Sequence, residues 1–156
     1  MKNQNGMGHI TLIITILIIV LVIVGIVVFV NNKVEDEKIE TIRTNMLLIQ
    51  GKVKVLSQEA IIQKNEGLLK GRKVSENIED EIVKELIDKG IIAQDNLSKY
   101  YIIDNEIINE LGIEKAKLED GFYIVNYDTD EIIYSKGFEI NKEKFYKLSD
   151  IKNINV

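Results

Sequence analysis

The chain contains no cysteine. Disulfides, thiol nucleophiles and cysteine-ligated zinc are therefore excluded, a composition that suits a protein displayed outside a monoderm cell. Histidine is nearly absent as well, with His9 standing alone. Without a second histidine or any cysteine, the common metal ligand sets cannot be assembled around it. For the same reason a Ser-His-Asp site cannot form beyond the N-terminal residues. No cofactor, metal or catalytic centre is expected, and the chain reads as a non-enzyme. Proline is missing too, so no position acts as an obligatory helix breaker. Aromatic residues make up only 6% of the sequence. Apart from Phe29, all of them lie between Tyr100 and Tyr146.

What is present is unevenly distributed. From Ile10 to Val30 there is no charge, and Thr11 and Thr15 are the only polar side chains. These ~21 residues would span roughly 31 Å as a helix, matching a hydrocarbon core of about 30 Å. The β-branched content suggests strand in water. In lipid, however, the backbone must satisfy its own polar groups, so a transmembrane helix is expected. Gly25 is tolerated there, and it would let a neighbouring helix approach closely. A cleaved signal peptide would have a shorter apolar core and a small-residue cleavage site, whereas this run ends Val-Phe-Val-Asn-Asn. Lys2, His9 and the α-amino group precede the run, and Lys33, Glu35, Asp36, Glu37 and Lys38 follow it. The charge bias is slight, but so short a flank is easily left in the cytoplasm while the anchor exports the rest, so a cytoplasmic N-terminus and an extracytoplasmic C-terminal domain are expected.

The remainder is charged and mildly acidic. Of the 20 Lys/Arg only Lys2 precedes the run, which leaves 19 against all 25 Asp/Glu, a balance of −6. Such a domain has no general attraction for nucleic acid. Lys70-Gly71-Arg72-Lys73 is a basic cluster, but it has no aromatic neighbour for base stacking and lacks the spacing of a P-loop. It reads as a solvated loop.

Ile39, Ile42, Met46, Ile49, Val53, Leu56 and Ala60 recur at steps of three and four. They predict a long amphipathic helix whose stripe packs on its own domain, with a self-associating coiled coil as the competing use. No breaker separates this helix from the apolar run, so the two are expected to form one rod. Gly67 is the expected stop. A second helix is predicted from Glu76 to Lys89, capped by Ser75 or Asn77, with Ile78, Ile82 and Leu86 on its face and Gly90 ending it. A short third helix is predicted after Asp104 and before Gly112, and Tyr100–Ile103 reads as extended. Phe122–Tyr127 and Glu131–Ser135 flank Asp128-Thr129-Asp130 as a β-hairpin, and Gly137–Leu148 adds further strand. Asp128, Asp130 and Glu131 form an acidic turn without the calcium-loop pattern, so it reads as a plain turn. The tyrosines read as sheet core.

The expected fold is therefore α+β: leader 1–9, transmembrane helix 10–30, amphipathic spine 31–66, and a small extracytoplasmic α+β domain 67–156 with an antiparallel sheet. The order, together with Gly8-His9-Ile10-Thr11-Leu12-Ile13-Ile14, resembles type IV pilins and pseudopilins. Those proteins open with Gly, then Phe-Thr-Leu-Ile-Glu, then a long apolar helix. The hairpin from Tyr123 to Ser135 also resembles the C-terminal strand pair of pilin-like proteins from Gram-positive anaerobes. The resemblance covers the leader, the apolar run and the hairpin. It implies a filament subunit whose partners are the lipid bilayer, like subunits and a prepilin peptidase cutting after Gly8. Aligned on Thr11-Leu12-Ile13, His9 stands where the family has its cleavage-site glycine; aligned on Gly8, the Thr-Leu-Ile match slips. The family's acidic residue falls at Ile14 or Ile13, neither of which is acidic. The resemblance thus points to a minor, initiating or tip subunit, or to a protein outside the filament. The competing reading is a bitopic scaffold that binds a partner through the heptad-like helix.

Overall fold

The computed structural model describes residues 37–140 and 142–151. The leader and the apolar run, including Gly8, His9, Ile10, Thr11, Leu12, Ile13, Ile14 and Gly25, lie outside the described residues, as does the junction of the run with the spine. Among the described residues no helix is long and apolar enough to cross a membrane.

The first helix, α1, is helical throughout 37–63. The stripe read from the sequence is its buried face: Ile39, Met46, Ile49, Val53 and Ala60 are buried, and Ile42 and Leu56 pack beside them. Met46, Ile49 and Val53 have no exposed surface. At about 1.5–3 kcal/mol per fully buried side chain, these three anchor the helix to the domain. The helix stops at 63, before Gly67. Lys64 adopts φ 50°. The Asn65 amide donates to the Ala60 carbonyl at 2.9 Å and the Lys64 amide to Ile61 at 3.2 Å. This is a Schellman closure with lysine in the place usually held by glycine.

Five strands follow: β1 Arg72–Lys73, β2 Tyr100–Ile103, β3 Tyr123–Asn126, β4 Glu131–Ile140 and β5 Glu143–Lys147. They form one antiparallel sheet in the order β1-β2-β3-β4-β5. Alternation sorts their side chains onto two cores. Tyr101, Ile103, Tyr123, Val125 and Ile132 face the α1 stripe. Ile102, Ile124 and Ile133 face the opposite way, onto Val74, Val83, Leu86 and Ile92. Both faces are covered, which explains why the strands read as unbroken apolar runs instead of alternating ones. The hairpin predicted around Asp128-Thr129-Asp130 is β3–β4, pairing Asn126 with Glu131 and Tyr123 with Tyr134. β4 then slips register between Ile133 and Phe138 and continues as the partner of β5.

The second helix is shorter than its sequence pattern. α2 spans Glu81–Asp88, and its cap is Asp80, whose Oδ1 accepts the Ile82 and Val83 amides. Ser75 lies in a 3-10 turn, and the Asn77 side chain instead donates to the Lys73 carbonyl. Val83 and Leu86 are its buried residues, while Ile78 lies outside the helix and is exposed. Gly90, at φ 68°, ends it as expected. α3, Asn105–Glu110, is capped by Asp104 and followed by Gly112 in the left-handed region. A last short helix, α4, Leu148–Ile151, covers the α1-facing core and is not legible in the sequence as a helix.

Two buried tyrosines behave differently. The Tyr127 hydroxyl donates to the Lys70 carbonyl at 2.9 Å and accepts the Lys70 amide at 3.1 Å, tying the α1–β1 crossover to the sheet. The Tyr123 hydroxyl is fully buried and makes no hydrogen bond. Burial pushes its pKa up to about 12, with the Asn45 side chain of α1 pulling weakly the other way. Tyr127→Phe should therefore cost about 1–3 kcal/mol in chemical denaturation, because two hydrogen bonds between the sheet and the crossover are lost, at about 0.5–1.5 kcal/mol each. Tyr123→Phe should be neutral or stabilising in the same measurement. Lys64→Gly should stabilise by about 0.5–1 kcal/mol by relieving the left-handed residue, read as a rise in midpoint at unchanged slope.

Candidate assembly surface on the spine helix

The leader and apolar-run residues singled out from the sequence lie outside the described residues. The other candidates can be placed. The three carboxylates at the β3–β4 turn diverge. Asp128 pairs with Lys99 at 3.3 Å and Asp130 with Lys54 at 3.9 Å. Glu131 accepts the Ser149 and Ile132 amides. The turn itself is held by Asn126 Oδ1, which accepts the Asp128 and Thr129 amides. Among the described residues no three His, Cys, Asp or Glu side chains are grouped to hold a metal ion.

The basic cluster is an edge strand and its approach, not a loop. Lys70 pairs with Glu110 at 3.2 Å and Arg72 with Asp104 at 3.2 Å, while Arg72 and Lys73 form β1. Beside it, at the C-terminal end of α1, lies an open cleft of about 750 Å³. Its charged groups are of both signs, Lys64, Lys73 and Lys99 against Glu66 and Asp128. The Tyr127 hydroxyl on its floor is occupied by the Lys70 backbone, and burial pushes its pKa up to about 12.

The more distinctive surface is the outward side of α1. Leu48, Val55 and Ile62 recur at intervals of seven, roughly half a turn round the helix from the buried stripe. Leu47 and Ile61 are exposed as well but lie roughly 80–120° round the helix from that row, Ile61 on the rim of the cleft. All five are exposed, Ile61 by 73% and Ile62 by 79%. Gly51 lies between Leu48 and Val55, and a Cβ there would meet nothing within 4 Å, so the backbone is open to close approach. Exposed leucines and isoleucines occur singly on many proteins; a row of them on one helix side is the mark of a contact surface.

The roll that turns this row outward is reinforced by a polar ladder along α1. The Gln50 side chain donates to the Asp130 carbonyl at 2.7 Å, Lys54 pairs with Asp130, and the Ser57 hydroxyl donates to the Tyr127 carbonyl at 3.1 Å. Steps of four and three keep these side chains on one line of the helix. The outer row is present in the sequence as a seven-residue recurrence. It is overshadowed there by the longer inner stripe, which has a residue at every heptad step from Ile39 to Ala60.

No family model, curated protein or solved structure matches the chain.

Substitutions should separate the two faces of α1. Ile49→Ala should cost about 2–4 kcal/mol, the usual loss for emptying a closed site. Leu48→Ser with Val55→Ser should leave the unfolding midpoint within about 0.5 kcal/mol of the parent. The same double variant should lower self-association of the full chain in detergent, followed by energy transfer between labelled copies.

Proposed function

We propose that this chain is a membrane-anchored structural subunit of the type IV pilin or pseudopilin kind, and a minor one. In this reading Ile10–Val30 is a single transmembrane helix with its N-terminus in the cytoplasm, and the α+β domain is displayed outside. Its work is assembly. Like subunits meet through the apolar helix, where Gly25 permits close approach and packing in lipid supplies the attraction. The observation that carries the proposal furthest is the row Leu48, Val55 and Ile62 on the side of α1 that its own domain does not use. A spine helix with one apolar face for its domain and another for neighbours is what a helix-packed assembly requires. The resemblance of Gly8–Ile14 to the pilin start supports the same reading. The missing carboxylate at Ile13 or Ile14 removes the partner for a neighbouring subunit's amine, which fits an initiating or tip position better than the body of a filament.

The bitopic scaffold is the second reading, and the fold alters its terms. The seven-residue stripe from Ile39 to Ala60 lies against the sheet core. A partner helix would therefore have to seat on the outer row. Leader processing separates the two readings. The full chain is expressed in a monoderm host with and without a prepilin peptidase, and the intact mass of the membrane fraction is measured. Loss of Met1–Gly8 that depends on the peptidase is the result expected of a pilin-like subunit. An unchanged mass favours the scaffold.

A further inference from the structure

β5 is the last strand of the sheet, so among the described residues its outer backbone has no strand beside it. The groups on that edge follow from the register. Ile140 pairs with Glu143, Glu139 with Lys144 and Phe138 with Phe145 across the turn that carries Lys142 at φ 70°. A Cβ built on Gly137 of β4 would stand 2.8 Å from the Phe145 carbonyl oxygen, so Phe145 directs its backbone inward. Backbone direction alternates along a strand. Lys144 and Tyr146 therefore present their N–H and C=O groups to the free edge.

The sequence of this edge is complementary to itself. In Glu143-Lys144-Phe145-Tyr146-Lys147, a two-fold axis at Phe145 sets Glu143 opposite Lys147 of a second copy, and Lys147 opposite its Glu143. Neither Glu143 nor Lys147 has an ion-pair partner among the described residues. The same axis sets Lys144 opposite Tyr146, the two residues whose backbone groups point outward and can exchange hydrogen bonds. Phe145 meets Phe145 between the two charge pairs. The central positions are also backed by the fold. Phe145 stacks on Phe138 at 6.1 Å, and the Tyr146 ring is held under Lys89 and Lys144 at 5.5 and 5.4 Å. Other alignments are opposed: centring on Lys144 sets that lysine against its copy, and a parallel in-register pair sets each charge against its like. Lysines on an edge strand normally discourage pairing. Here they oppose a pairing centred on Lys144 and leave the one centred on Phe145 free of like-charge contacts.

We propose that β5 is a self-recognition edge, at which a second copy of this chain adds its own β5 antiparallel, centred on Phe145, to join two five-stranded sheets into one. The contact is isologous and closes on a pair. It uses neither the outer row of α1 nor the apolar run, so it stands apart from the proposed function.

The chain has no native cysteine, so introduced thiols report contacts without background. Full-length Glu143→Cys and Lys147→Cys proteins, differently tagged, are mixed in detergent micelles and mildly oxidised. In the proposed register opposed Cβ atoms lie about 4.5–5.5 Å apart, within reach of a disulfide. Like positions lie four residues out of register, roughly 13 Å or more apart. The expected result is a 143–147 cross-link at least about tenfold above the 143–143 and 147–147 products. Absence of the mixed product, or equal yields of all three, overturns the proposal, including when the apolar run by itself holds copies together. A charge exchange gives the second reading: Glu143→Lys should weaken self-association of the full chain about tenfold, since two attractive cross-strand pairs become repulsive. Glu143→Lys with Lys147→Glu should restore it. A double variant as weak as the single one would count against the pairing.

Discussion

The seating of α1 on the sheet is the constraint from which the rest follows. The helix is apolar on two sides, so burial alone does not decide which side faces inward. The inner stripe has the advantage of an unbroken row, with Met46, Ile49 and Val53 fully enclosed against Tyr123, Val125 and Ile132. A rotation of one residue, about 100°, would exchange Ile49 for Leu48 and leave the pocket mismatched. The ladder of Gln50, Lys54 and Ser57 to the β3–β4 turn adds direction to that preference. Each neutral hydrogen bond is worth only about 0.5–1.5 kcal/mol. They are, however, placed where a rolled helix could make none of them.

Much of this is legible in the sequence, and the failures have physical causes. The inner stripe, the Tyr100–Ile103 strand, the hairpin, and the caps at Asp104 and Gly90 each depend on local chemistry that a sequence displays directly. The sequence pattern makes α2 too long because Ser75 and Asn77 are good caps in isolation, whereas Asp80 wins once Val74 is drawn into the core beneath the sheet. It makes α1 three residues too long because glycine is the usual left-handed residue and Lys64 takes that place instead. β1 escapes because a two-residue strand carries no periodicity; only its pairing with Tyr101 and Ile102 defines it. The outer row of α1 is in view but does not separate from the inner one, since telling a buried stripe from an exposed one needs the partner surface.

The two candidate contact surfaces differ in kind. The row on α1 is a side of a helix, which can pass a contact on from copy to copy. The β5 edge is two-fold and closes once used. They occupy different elements of the same domain. Neither depends on a titrating group. The clearest pKa displacements, at Tyr123 and Tyr127, come from burial in the core and mark packing.

The hydroxyl of Tyr127 joins parts of the chain that are made at different times. Its partner Lys70 lies 57 residues earlier, and the Ser57 and Gln50 contacts to the same turn close loops of 70 and 80 residues. On a chain synthesised from its N-terminus, α1 is complete long before the strands that cover its inner face exist. Until β2 and β3 have emerged, the inner face of α1 lacks the sheet it packs on, and its contacts to the β3–β4 turn close later still. The first helix of the domain to be made therefore waits for strands synthesised well after it. That interval is when a chaperone, a membrane surface or a neighbouring copy has most access to it.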